Sequence, residues 1–274
     1  MSLTALLLVL AAAVVHATWN LLLSGAADTR AAAAVTVVIG VIAFAPAAAL
    51  TWHLSARALP YIAASSVLEL AYLALLARGY ARAEMSFVYP IARGSAPVFV
   101  LLVSVVALGT SISALTTLGV LLIGGGIVFV RGLANRGHPR DLALALAVGL
   151  CIAGYTLVDK HGIVHGASLS YLELVFVVTA AGYLIPTWRA RGTQALRAAV
   201  TWRTLIAGIG FFGGYLLVLA ALRIAPAAPV SAVRETSVLI AAAVLVISGR
   251  ERLAVGRILG SVAVVGGIAC IAFG

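Results

Sequence analysis

Charge is scarce in this 274-residue chain: 9% of its residues are Asp, Glu, Lys or Arg, against 64% hydrophobic ones. So little charge excludes a water-soluble domain, which typically carries about a quarter of its residues charged. Lysine occurs once, at Lys160, so seventeen of the 18 basic residues are arginine, a compositional mark of a GC-rich bacterial genome. There are two cysteines, Cys151 and Cys270, each inside an apolar run. There they act as small apolar side chains, which excludes a disulfide framework or a thiolate metal site. Catalytic signatures are also missing. The chain has no Gly-x-Ser-x-Gly elbow, Walker loop, His-Glu-x-x-His or Cys-x-x-Cys, so neither an enzyme, a cofactor nor ATP hydrolysis is implied. The first apolar run lacks a basic leader and is interrupted by His16, Trp19 and Asn20, which argues against a cleaved signal.

Long apolar runs are abundant. Stretches near the membrane-spanning length of about 20 residues recur at 3–23, 31–52, 60–79, 86–106, 112–131, 141–159, 168–188, 201–222, 226–248 and 254–273. They are continuously apolar rather than alternating, which excludes a β-barrel and predicts an all-α integral membrane protein of ten transmembrane helices. The formal charge of +10 would suggest nucleic acid in a soluble protein. Here the basic residues cluster at span ends, where they set topology and meet headgroups. The connectors 1–2, 3–4, 5–6, 7–8 and 9–10 carry thirteen Lys or Arg, whereas the other side carries Arg57, Lys160 and Arg223. An even number of spans puts both termini on one side, and the positive-inside rule puts that side outside the cytoplasm.

The chain repeats itself. Ile91-Ala92-Arg93-Gly94-Ser95-Ala96-Pro97 answers to Ala232-Val233-Arg234-Glu235-Thr236-Ser237-Val238 at an offset of 141 residues. The same offset pairs Arg82 with Arg223, Leu118-Gly119 with Leu259-Gly260, and Gly125-Gly126-Ile127 with Gly266-Gly267-Ile268. Two five-span repeats follow, 1–137 and 138–274. Because five is odd, the second copy enters the bilayer from the opposite side, as an inverted repeat. Small residues at Gly124 to Gly126, Gly256, Gly260, Gly266 and Gly267 predict close helix packing, and Gly210, Gly213 and Gly214 allow the same contact.

Polar residues inside the spans carry whatever chemistry there is. Arg93 falls about seven residues into its span, or about 10 Å deep at 1.5 Å per residue. Arg234 falls at a comparable depth from the opposite face. An arginine facing lipid there costs at least a few kcal/mol, so each should face a wet cavity or an ion partner, Glu69 or Glu235. Glu69, with Tyr72 one turn on, is the counter-ion to Arg93 or a proton or cation site. His16, Trp19 and Asn20 make a polar turn in the first span that can hydrogen-bond a ligand or titrate near neutral pH. No second ligand stands beside His16 at metal-binding spacing. Tyr89-Pro90 precedes Arg93, and prolines here loosen the helix enough to make hinges. Tyr155, Glu173 and Tyr215 are candidates of lower rank. Tyr171 and Glu173 begin span 7 at the position of interfacial residues, and Asp159 and Lys160 end span 6 as a solvated ion pair.

Three segments in this order resemble one family: His16-Ala17-Thr18-Trp19-Asn20; Tyr89-Pro90-Ile91-Ala92-Arg93-Gly94-Ser95; and Arg234-Glu235-Thr236-Ser237 followed by Gly249-Arg250-Glu251-Arg252-Leu253. They are similar to EamA-type members of the drug/metabolite transporter superfamily, and the resemblance covers the whole chain. It implies ten helices around a central cavity and a secondary transporter moving a small metabolite by alternating access in a bacterial inner membrane. The substrate-binding residues would be His16, Trp19, Asn20, Glu69, Tyr72, Tyr89, Arg93, Tyr155, Tyr215 and Arg234. The paired arginines favour a carboxylate or phosphate, such as an amino acid or organic acid. The implied partners are a small-molecule substrate, the lipid bilayer and a proton as coupling ion, with no nucleic acid, in a monomer or a homodimer. The alternative is a flippase for a lipid-linked or phospholipid head group. Two departures stand out. The first repeat has Gly109-Thr110-Ser111 where the second has Arg250-Glu251-Arg252, and His16 and Asn20 stand where related small multidrug exporters use a first-helix glutamate. Family members commonly have cytoplasmic termini, opposite to the charge count.

Overall fold

Backbone N–H and C=O groups find no water in hydrocarbon, so an apolar chain of this kind satisfies them within helices. The computed structural model describes residues 1–82, 85–131, 138–249 and 255–274, and among these no strand is formed. The helices are α1 (Leu3–Leu23), α2 (Thr29–Leu50), α3 (Leu59–Arg82), α4 (Met85–Leu102), α5 (Ala114–Arg131), α6 (Pro139–Gly162), α7 (Ser168–Ala198), α8 (Trp202–Ile224), α9 (Ala227–Arg234), α10 (Ser237–Ile247) and α11 (Val255–Phe273). The Arg250-Glu251-Arg252 loop and the connector residue Arg136 lie outside the described residues.

Local chemistry places several helix starts. Asp28 accepts from the backbone N–H groups of Arg30 and Ala31 and so caps α2, and Thr201 and Thr204 cap α8 reciprocally. α7 is longer than its apolar run because Gly192, at φ +77°, turns the chain and lets a further helical stretch follow. The connector between the seventh and eighth spans is thus largely helical.

Among the described residues, eight helical segments are long and apolar enough to cross a membrane, and Ala114–Phe129 and Ile258–Phe273 are shorter apolar helices. This is a multi-pass membrane protein. The expected ninth span is not one helix. It breaks after Arg234, where the amides of Glu235 and Thr236 reach back only three residues, to Ala232 and Val233, and α10 starts anew. Within the run 226–248 the charged residues are Arg234 and Glu235, and the break falls on them.

α5 packs along α11, α1 along α8, α3 and α4 along α6, and α2 along α7 and α8. The Met1 amino group donates to the Ile271 carbonyl at 3.2 Å, so the two chain ends meet, as the even span count predicts. At that terminal end the α2–α3 and α6–α7 connectors are stitched together. Ser55 N–H donates to His165 O (2.9 Å) and Ala167 N–H to His53 O (2.7 Å), around a bridge between Leu54 and Gly166. Arg223 adds bonds to Ser168 Oγ (2.7 Å), Ile163 O (2.6 Å) and Gly166 O. The opposite end holds the α1–α2 and α7–α8 connectors, with Arg30, Arg191 and Arg203. There the α1–α2 connector approaches the α7–α8 connector through Arg191 Nε and Asp28 Oδ2, 3.2 Å apart.

Candidate functional site

The break after α9 places three charged side chains together away from solvent. Arg93 is 4% exposed, Arg234 3% and Glu235 0%. Arg93 Nη1 donates to Glu235 Oε2 at 3.0 Å and to Oε1 at 3.3 Å. Arg234 donates to the same Oε1 from Nη2 (3.0 Å) and Nε (3.2 Å). One carboxylate therefore serves both arginines, and the cluster carries one positive charge in excess. Burying charges is tolerable only when each is paired and hydrogen-bonded. Arg93 Nη2 also lies 2.8 Å from His16 Nε2. Aromatic faces complete the cradle, with Arg93 over Tyr89 at 5.4 Å and Arg234 over Tyr155 at 5.8 Å.

These residues line a cavity of about 230 Å³. It gathers all ten of the residues the sequence nominated: His16, Trp19 and Asn20 from α1, Glu69 and Tyr72 from α3, Tyr89 and Arg93 from α4, Tyr155 from α6, Tyr215 from α8 and Arg234 from α9. The lining also includes Phe176 and Phe211, and it runs to Ser24 and Thr29 at the arginine-rich end. One wall is aromatic throughout. Tyr155 meets Tyr72 and Tyr215 edge-on at 6.3 and 5.9 Å, Phe176 stacks on Phe211 at 4.7 Å, and Trp19 meets Phe211 edge-on at 5.4 Å. His16 packs against Trp19 at 4.8 Å, and Asn20 turns its amide back to the His16 carbonyl at 2.8 Å.

Of the two counter-ions considered for Arg93, the structure selects Glu235. One expectation is corrected. Asp159 and Lys160 do not form a solvated pair: Asp159 is fully buried, accepting from Tyr171 Oη at 2.8 Å and from Tyr215 Oη. Lys160 instead donates to the carbonyls of Leu222 and, at 3.0 Å, Ala225. Tyr171 and Glu173, at the start of α7, are buried within the protein. α6 runs on to Gly162, so Asp159 sits a turn inside the helix, where α7 and α8 bring it phenols. The signal available in the sequence was Tyr171, whose spacing of twelve residues from Asp159 spans one tight turn between two helices.

Glycine packing is confirmed at some positions only. A Cβ on Gly124 would meet Gly94 O at 2.7 Å, one on Gly126 would meet Gly260 O at 2.7 Å, and one on Gly267 would meet Gly119 O at 2.7 Å. Gly125 and Gly266 face open space.

Residues 141–273 match the EamA-like transporter family. The resemblance to EamA-type transporters is thereby borne out on the second half of the chain, and the family is one of transporters rather than enzymes. No curated protein matches. A solved crystal structure, 15% identical in sequence, superposes with a TM-score of 0.79 over 100% of this chain and 98% of that one. At that identity the likeness is one of fold alone.

Proposed function

We propose that the chain is a secondary active transporter that moves a small metabolite bearing a carboxylate or phosphate by alternating access. The observation that carries this reading is the buried pair of arginines sharing one carboxylate at the head of a cavity. Such a cluster holds one cation in surplus, and an anionic group entering the cavity supplies the missing charge with bidentate hydrogen bonds. The aromatic wall suits an apolar or ring-bearing body, as in an amino acid or aromatic acid. A cavity of about 230 Å³ is small beside the roughly 300–1,000 Å³ that drug-sized ligands occupy.

Alternating access is supported by the difference between the two ends. The terminal end is stitched shut by the 51–58 and 163–167 connectors, while the cavity lining reaches Ser24 and Thr29 at the other. By the loop charges that open end faces the cytoplasm of a bacterial cell. Two inverted five-helix repeats, 1–137 and 138–274, fit the packing. Exchanging the halves turns the α1–α8 contact into the α6–α3 contact and maps α2–α7 and α5–α11 onto themselves. In that scheme the outward state would close the α1–α2 connector on the α7–α8 connector, which Asp28 and Arg191 already join.

Uptake of labelled amino acids and aromatic acids into proteoliposomes tests the reading. Saturable uptake, weakened by both Arg93→Ala and Arg234→Ala, supports it. Normal uptake by both variants in well-folded form removes the arginines from the site.

A further inference from the structure

We propose that His16 is a proton-binding site linked to the anion site, so that one proton enters with each anion; this deepens the transport reading above. The contact that carries it is His16 Nε2 to Arg93 Nη2, 2.8 Å apart. A guanidinium has five N–H donors and no acceptor, so Nε2 receives the bond. His16 is then neutral, with its proton on Nδ1. An N–H of Arg93 and an incoming proton compete for one lone pair.

An anion resolves that competition. When its oxygens draw the Arg93 guanidinium, the Nη2–H···Nε2 bond breaks and the Nε2 lone pair is released. A hydronium ion arriving from bulk through the open end then gives up its proton: its O–H bond breaks to leave water, an N–H bond forms at Nε2, and the imidazole becomes an imidazolium. His16 is half-buried and lines the same cavity as Ser24 at the arginine-rich end, which gives the proton its route.

Charge makes the two events cooperative. The titratable and charged groups around the cavity with His16 are Arg93 and Tyr89 from α4, Arg234 at the end of α9 with Glu235 beyond it, Glu69 and Tyr72 from α3, Tyr155 from α6 and Tyr215 from α8. Asp159 lies behind Tyr215 and is engaged by two phenols. With two guanidiniums around Glu235, a proton on His16 alone adds a second surplus cation to the cluster. A carboxylate bound at the arginines cancels that addition locally. Each ligand therefore raises the affinity for the other by the same factor.

The experiment uses the full-length purified protein with benzoate and L-phenylalanine as probes. In weakly buffered detergent solution, an indicator dye should report one proton taken up per probe bound by the wild type, and none per probe bound by His16→Gln. The glutamine oxygen still accepts from Arg93 but carries no proton. In proteoliposomes held at zero membrane potential, a one-unit pH gradient should concentrate labelled L-phenylalanine about tenfold for one-to-one coupling; benzoate, which crosses a bilayer unaided as benzoic acid, serves in the binding measurement alone. Whatever exchange His16→Gln retains should ignore the gradient. Wild-type exchange without proton uptake, or undiminished uptake per bound probe in His16→Gln, overturns the coupling and leaves the transport reading intact. Failure of the wild type to exchange L-phenylalanine counts against that reading instead. The coupling is then decided by imidazole ¹⁵N spectra at pH 6. These should show His16 neutral with Nδ1–H in the wild type and doubly protonated in Arg93→Gln; identical spectra overturn it.

Discussion

The α5–α11 seam and the arginine cluster are both built from residues repeated at an offset of 141, yet they have had opposite fates. In the seam, Gly126 approaches Gly260 and Val264 while Gly267 approaches Gly119 and Ile123. Moving either set by 141 residues gives the other. In the cluster, Arg93 and Arg234 occupy equivalent positions, but Arg93 is followed by Gly94 and Arg234 by Glu235. The seam needs two backbones to come close, and any pair of matching glycines does that. The site needs opposite charges to meet, and two identical arginines repel. Two arginines can be buried together here because the carboxylate of Glu235 serves both.

The largest expected effect follows from that shared carboxylate. Glu235→Ala leaves two buried guanidiniums facing each other and should cost about 3–5 kcal/mol of stability, the usual penalty for breaking a buried ion pair on one side. Thermal unfolding in detergent measures it. The double variant Glu235→Ala with Arg234→Ala should recover part of the loss, because it removes one of the orphaned charges. A double variant no better than Glu235→Ala would mean that the cluster is not held together by charge.

Next comes the comparison of the two arginines themselves. Each should lose transport roughly ten- to hundredfold on replacement by alanine, the scale of a charge-assisted hydrogen bond worth about 1.5–3 kcal/mol. Their asymmetry predicts more. Arg93 contacts His16 and Tyr89 as well as Glu235, whereas Arg234 contacts Glu235 and the Tyr155 face. Uptake at several pH values should therefore change shape for Arg93→Ala and only fall in amplitude for Arg234→Ala. Identical profiles would restore the symmetry of the pair.

What the sequence revealed and what it concealed divide along the same line. Depth in the bilayer is a property of one helix, so the ten cavity residues could be named from apolar runs and polar interruptions alone. Partners are a property of two helices. Glu235 was one of two candidate counter-ions for Arg93 until α9 and α4 were placed side by side. Asp159 looked solvated because its apolar run ends nearby, and only Tyr171 and Tyr215 arriving from α7 and α8 make it a buried acceptor. The break in the ninth span was similarly hidden. Its hydropathy is high on both sides, and the turn is made by backbone amides at Glu235 and Thr236 rather than by a proline or glycine.

The smallest effects sharpen the seam, and their signs differ between adjacent residues. Gly126→Ala and Gly267→Ala each drive a methyl into a facing backbone carbonyl at 2.7 Å, which cannot swing aside as a side-chain tip would. Each should cost about 1–3 kcal/mol, and the two losses should be equal within error because the contacts are equivalent. Gly125 and Gly266 are also equivalent, but a methyl on either meets nothing within 4 Å. There alanine only removes glycine's conformational freedom and should stabilise the helix by about 0.5–1 kcal/mol. Melting temperatures of the four single variants decide the matter. Unequal losses at Gly126 and Gly267 would show that the seam has diverged as the arginine cluster has, and a loss at Gly125 would place a further surface against that face of α5.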